Sequence, residues 1–339
     1  MLHLFVQQIV IIVLLLCNFR TVFANVDVRW QTYDASKFPD NAITSIALDS
    51  NENIWFGTKK GLVSMSPSET WEIYTVENTD GSLVGNQITC IEVDQFGDVW
   101  IGTSKGLSSY SNGNWKMFNK ENTGGGLPYD KVLSLSINEN DDIWVGTEKG
   151  FAKLKGSVWV SYDEDKISGL IPDYKIFAIA AIDNDKVWLG LSSGLVLFDG
   201  SRYKLFDKSI TGGGLPNNYI TCLKKEADGN LWVGTQRGLA FLSNGKWKSF
   251  LPDKYKDIAG TIVYDIQYGR DGGVIVGFKG GASKFLGGTW QSYMELGIAK
   301  TYDRHGPPSY RVMSLLEVKT KSMWFGTKEG LCKMIILGN

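Results

Sequence analysis

Seven cations recur at one place in a repeated turn. They are Lys59, Lys60, Lys105, Lys149, Arg237, Lys279 and Lys328, against two carboxylates, Glu148 and Glu329, at the same turn positions. Lys131, Lys175, Tyr219 and Arg311 stand at the start of apolar runs and map to the same side of the repeat. Grouped cations raise the local concentration of anions. The chemistry on offer is therefore capture of an acidic glycan or an acidic protein surface. The plainer reading, that turns favour polar residues and lysine is common, stands beside it.

Candidates for catalysis are few. The chain has two histidines, His3 and His305. His305 lies in the longest segment between repeats and is the single imidazole after the N-terminal segment, so it alone could act as a histidine general base. One histidine cannot build a multi-histidine metal site. Cys90, Cys222 and Cys332 have no CxxC spacing and read as small buried residues. Asp163-Glu164-Asp165 reads as solvated charge rather than a calcium loop. Thr123–Pro128 and Thr211–Pro216 are glycine-rich, but no Gly-Lys-Ser/Thr ends them and no helix follows. A phosphate loop is excluded, and flexible turns between repeats are expected. No metal and no cofactor is implied.

Charge is balanced, with 35 basic and 36 acidic residues among 339. A nucleic-acid or membrane-surface role wants a basic excess, so neither is expected. Residues 9–16 are unbroken aliphatic, too few to span a bilayer comfortably. Val22-Phe23-Ala24 offers a small-residue cleavage site. Residues 1–24 read as a secretory signal cleaved after Ala24, although the segment before the apolar run has no Lys or Arg and a retained anchor stays open. No other segment is apolar enough to cross a membrane. The chain divides into the signal, 1–24, and one repeat domain, 25–339, in the periplasm or secreted.

The elements that must position the cations come from a repeat. An aromatic–aliphatic–Gly–x–x–x–Gly–apolar motif begins at Trp55, Trp100, Trp144, Trp188, Trp232, Ile275 and Trp324, at intervals of 45, 44, 44, 44, 43 and 49 residues. An aromatic-x-x-aromatic motif is interleaved at Trp30, Trp71, Trp115, Trp159, Tyr203, Trp247 and Trp290. Within a repeat, turn signals such as Asp228-Gly229 and Asn244-Gly245 separate four β-rich runs. Each repeat is thus a four-stranded antiparallel meander with apolar residues on both faces. Packing it between two like neighbours around an axis satisfies both. The chain reads as all-β, a seven-bladed β-propeller. The glycine inside each second strand should accept a close neighbour, an aromatic of the adjacent blade being the expected filler. The glycine that ends the turn should have positive φ. Because Trp30 precedes the first repeat and the last repeat lacks a fourth strand, the N-terminal strand should complete blade 7.

The motif W-[FIVL]-G-T-x-x-G-L, followed by W-x-x-[FY] and preceded by leads such as Leu127-Pro128 and Leu215-Pro216, resembles the two-component regulator propeller repeat. The resemblance covers residues 29–337. It implies seven-bladed propellers, often in periplasmic sensor portions of bacterial hybrid two-component systems, many of which respond to oligosaccharides. The chain departs from that layout in lacking a second propeller, a sandwich domain, a following membrane helix and a kinase. Its sixth copy is degenerate, with Ile275 for Trp and Phe278 for Thr. The resemblance implies a ligand-binding or sensing module that takes an oligosaccharide or a protein partner. The streptogramin lyases are also seven-bladed propellers with repeated motifs; that alternative would be an enzyme using His305. A structural protein-interaction scaffold is a third reading.

Overall fold

The computed structural model of the chain describes residues 28–33, 35–293, 309–318 and 322–336. Seven sheets of four antiparallel strands form it. Blade 1 is Ser45–Leu48, Ile54–Gly57, Leu62–Met65 and Trp71–Tyr74. The innermost strands of the next five blades are Ile88–Val93, Val132–Ile137, Ala178–Ala181, Ile220–Lys225 and Val263–Tyr268. That of blade 7 is Val312–Val318. The innermost strands of consecutive blades touch all the way round, Val312–Val318 against Ser45–Leu48 included. The result is a closed seven-bladed propeller.

Closure is by the N-terminal strand, as the motif count predicts. Val28–Thr32 pairs antiparallel with Gly330–Ile336, with Trp30 opposite Met334. Tyr33 N–H then donates to the Leu331 carbonyl at 3.1 Å. The Trp30 ring lies 5.2 Å from Phe325, and Tyr33 stacks 5.0 Å from Trp324. The two ends of the propeller are thus held by a hydrogen-bond ladder and an aromatic cluster.

The motif residues divide the work of packing. Trp55, Trp144 and Trp324 are fully buried between blades. Each removes on the order of 200 Å² from water, a gross gain of roughly 5 kcal/mol. The strand glycine has a different partner from the expected aromatic. A Cβ on Gly57 would come within 2.7 Å of Ile88 Cγ2 of the next blade. Gly102, Gly146, Gly190, Gly234, Gly277 and Gly326 meet Val132, Ile176, Ile220, Val263, Val312 and Ile43 in the same way. The filler is a β-branched aliphatic, because that residue starts or immediately leads into the inner strand of the next blade, where the two blades approach most closely. The aromatics sit farther out, where the blades diverge and there is room for a ring.

The turn after the second strand is built by threonine and glycine together. Thr58 Oγ1 donates to the Gly61 carbonyl at 2.7 Å and accepts from Lys60 N–H at 3.1 Å. Thr103, Thr147, Thr235 and Thr327 do the same. Gly61 has φ +154, as the expectation of positive φ requires, and a side chain there would strike the Tyr74 carbonyl at 2.9 Å. This fixed turn aims its two variable residues outward.

Candidate functional site

The turns between second and third strands and the starts of the innermost strands share one end of the propeller. Backbone hydrogen bonds tie them together: Glu148 N–H to the Lys131 carbonyl at 3.1 Å, Gln236 N–H to Tyr219 at 3.2 Å, Lys328 N–H to Arg311 at 3.3 Å. Lys131, Tyr219 and Arg311 therefore stand next to the turn cations, half-buried where the turn residues are exposed. Lys59, Lys60, Lys105, Lys149, Arg237, Lys279 and Lys328 all face solvent.

The rim is less uniform than its sequence tally. Glu148 Oε1 takes Lys175 Nζ at 2.8 Å and Lys131 Nζ at 3.2 Å. The Lys175 hydrogen bond holds the Glu148 carboxyl below the usual carboxylate range. Lys149 reaches Glu164 at 4.0 Å and lies over the Tyr129 ring. Among the described residues, Lys59, Lys60, Lys105, Arg237, Lys279 and Lys328 have no carboxylate partner within ion-pair distance. The open positive charge is thus on blades 1, 2, 5, 6 and 7, while the sector of blades 3 and 4 is neutralised internally.

Aromatic faces add to this rim. Five innermost strands carry a β-bulge that skips Thr89, Leu133, Thr221, Tyr264 or Met313. Phe177 holds the same place in blade 4, just before Ala178 opposite Gly190. A bulge redirects a side chain out of the ladder. Tyr264 and Met313 line the channel at this end. Phe177 packs 4.6 Å from Tyr219 under the Lys175 ammonium, and Arg311 lies 5.9 Å from the Tyr264 ring. Single-sequence reading missed Tyr264, because a bulge shifts it by one place from the strand alternation, and Phe177, because it stands just before the strand Ala178–Ala181.

The opposite end of the propeller has the opposite sign. The turns between first and second strands in blades 1–6 hold twelve carboxylates, among them Asp49, Asp94, Asp142, Asp185, Glu226 and Asp271, against Lys186 and Arg270. Some serve the fold: Asp49, Asp94 and Glu226 accept from the indole N–H of Trp55, Trp100 and Trp232 at 2.8–2.9 Å. The turns between first and second strands in these six blades are thus acidic, where the turns between second and third strands are basic.

Between the two ends runs a channel lined by all seven inner strands. Two cavities of about 320 and 230 Å³ share Glu92, Lys224, Asp265 and Gln267. Residues opposite the seven motif glycines are Ser45, Cys90, Ser134, Ala178, Cys222, Asp265 and Ser314. Six are small and one is charged. Burial pushes the Asp265 carboxyl up, against the bond from Leu315 N–H at 2.7 Å. Glu92 is exposed to the channel, yet the protein surrounding the channel raises its pKa by desolvation, with Lys224 opposing. Burial pushes the Cys90 thiol up to about 12, and raises Cys222 and Cys332 as well. All three are free thiols, Cys332 buried and Cys90 and Cys222 half-buried, and the raised pKa favours the protonated form at neutral pH.

One expectation is corrected. The glycine-rich loops are not loose: Thr123 Oγ1 accepts from Leu127 N–H at 2.9 Å, and a Cβ on Gly126 would strike Trp159 at 2.5 Å. Thr211 and Gly214 repeat this against Trp247. The loops are packed covers for those tryptophans. Asp163 caps the short helix Glu164–Ile167 and pairs with Lys166 at 2.9 Å, and Glu164 and Asp165 are exposed charges on that helix. No group of three or more metal-ligating side chains occurs among the described residues. His305 lies outside the described residues. No described helix is long and apolar enough to cross a membrane.

The comparisons with known proteins agree with the repeat. The family model "Two component regulator propeller" matches residues 37–60, 82–105 and 214–237. No curated protein matches the chain in a sequence search. Among solved structures, the extracellular domain of a hybrid two-component system from B. thetaiotaomicron superposes with TM-score 0.76 at 17% identity, over 91% of this chain and 42% of that one. A second such domain from B. thetaiotaomicron gives 0.68 at 14% identity, over 91% and 40%. Virginiamycin B lyase from Staphylococcus aureus gives 0.67 at 11% identity, over 92% and 100%. The chain thus spans less than half the length of the two-component extracellular domains it matches. At these identities the likeness is one of fold.

Proposed function

We infer that this chain, a propeller built of two-component regulator repeats, is an exported sensing or ligand-binding module whose basic rim takes an acidic oligosaccharide. The observation that carries this reading is the set of six exposed cations without carboxylate partners around one channel mouth, Lys59, Lys60, Lys105, Arg237, Lys279 and Lys328. Half-buried aromatic faces stand at the same mouth, Tyr219 and Tyr264 in blades with open cations and Phe177 beside the paired Lys175. Cations supply attraction and orientation for uronate-type carboxylates, and aromatic faces suit the apolar face of a pyranose ring. The acidic far end favours one orientation of an approaching anion. Export is part of the reading. The aliphatic run at residues 9–16 supports it, with cleavage after Ala24 checked by whether the exported protein begins at Asn25.

The test is thermal. The purified protein is melted with oligogalacturonate and, separately, with neutral maltooligosaccharides, at low and high salt. A ligand that binds the folded state raises Tm by mass action. The reading expects a rise with oligogalacturonate alone that fades with salt. Equal shifts with neutral sugars, or none with either, would reject the acidic-glycan rim and leave an acidic protein partner as the next candidate.

A further inference from the structure

We propose that the central channel holds a second, separate site for a small zwitterion of the α-amino-acid class, clamped between Glu92 and Lys224. The two residues occupy the same repeat position, opposite Trp100 in blade 2 and opposite Trp232 in blade 5. Three blades apart in a ring of seven, they face each other across the channel about as widely as the ring allows. They carry opposite charges, feel each other electrostatically and yet form no ion pair. The remaining residues at this level are uncharged, and three of them, Ala47, Ser136 and Ala180, are small. The space between the two charges is therefore open.

Each charge has unused bonding capacity. Glu92 makes no hydrogen bond to any described residue, although both cavities reach it. Lys224 Nζ donates once, to Gln267 Oε1 at 3.1 Å, and lies 5.8 Å from the Tyr268 ring centre. An ammonium has three donors, so two remain. Asp265 is less free, because it accepts from Leu315 N–H at 2.7 Å and Ile266 N–H at 2.8 Å. Both charges open to the channel, Glu92 exposed and Lys224 half-buried, and neither has an ion-pair partner among the described residues. A ligand that offers an ammonium to Glu92 and a carboxylate to Lys224 satisfies both at once. A lone cation or a lone anion satisfies one and leaves the other. The cavity volume, about 320 Å³ in its larger part, accommodates a molecule of amino-acid size. Tyr264 and Met313, which line the cavity at the basic end, mark the way in.

The test is calorimetric titration of the purified protein with each of the common amino acids. Choline and propionate serve as cation-only and anion-only controls. Binding of at least one amino acid, with none for either control, is the expected result. Its N-acetyl and methyl-ester derivatives, each lacking one charge, should bind at least tenfold more weakly. Glu92→Gln and Lys224→Met should each do the same. Should a variant fail to fold, the derivatives carry the comparison on the unaltered protein. Absence of binding by every amino acid overturns the proposal. So does equal binding of the blocked derivatives, or of choline or propionate. Charge reversal on the rim should leave this affinity unchanged, so the channel site and the rim site fail or stand independently.

Discussion

Ile88 Cγ2 occupies the space where Gly57 lacks a side chain, 2.7 Å from where a Cβ would be. One blade's glycine receives the next blade's β-branched residue, and the contact recurs at all seven interfaces. The propeller is held together at its narrowest radius by this fit. The fit also places the first residues of each inner strand, and with them the channel mouth.

Gly57→Ala should therefore be destabilising out of proportion to one methyl group. The strand is buried, and Ile88 cannot retreat without moving a blade, nor Thr44 Oγ1 without losing its 2.9 Å hydrogen bond to the Ile88 carbonyl. Overpacking of a core costs typically about 1–3 kcal/mol. Urea denaturation should show a loss in that range. A midpoint equal to that of the parent protein would mean that the blades slide apart freely, against the packing described here.

Trp30→Ala tests the closure of the ring. Its side chain packs on Phe325 from a strand whose hydrogen-bonded partner is Gly330–Ile336. Large-to-small changes of this kind cost about 3–5 kcal/mol when the ring is fully buried. Trp30 is half-buried, so a loss of about 2–3 kcal/mol is expected. Proteolysis should begin at the N-terminal strand in the variant. A melting curve unchanged by the substitution would remove the closing strand from the stability of the fold.

Glu92 sets a pH dependence. Its folded pKa is raised, chiefly by burial, with Asp265 adding to the rise and Lys224 opposing it. A raised carboxyl pKa contributes stability below the unfolded value, about 4.3, and that contribution is lost as pH rises through the folded value. Glu92→Gln should consequently melt higher than the parent protein at pH 7–8. The difference should shrink as pH falls toward the ordinary carboxylate range. Melting curves across pH 4–8 give the answer; a difference that grows on acidification would reverse the sign assigned to Glu92.

The propeller was legible because its repeat is written in residue types with physical duties. Trp55 and its copies are too large to be anything but packing, and Gly61 and its copies serve a turn that excludes side chains. The closing strand was legible from Trp30, a fourth-strand motif with no repeat before it. The filler of Gly57 was not, since choosing Ile88 over an aromatic needs the distance between blades. The rim cations could be placed from the turn position alone. Their pairing could not: Glu148 reaches Lys175 of the neighbouring blade, 27 residues away in sequence. Tyr264 was hidden by the bulge, which breaks strand alternation, and Phe177 by its place just before the strand Ala178–Ala181. Glu92, Lys224 and Asp265 lay within strands whose copies carry small or apolar residues. Setting the seven inner strands in register at the motif glycine would have exposed them.

The most direct measurement is calorimetric titration of oligogalacturonate into the parent protein and into the triple variant Lys60→Glu, Lys105→Glu, Arg237→Glu. All three residues are exposed and none is used in packing, so the variant should melt like the parent. The account predicts salt-sensitive binding by the parent, and a loss of tenfold or more in affinity for the variant, about 1.4 kcal/mol. Equal affinity of the two proteins would contradict it and move recognition off the basic rim.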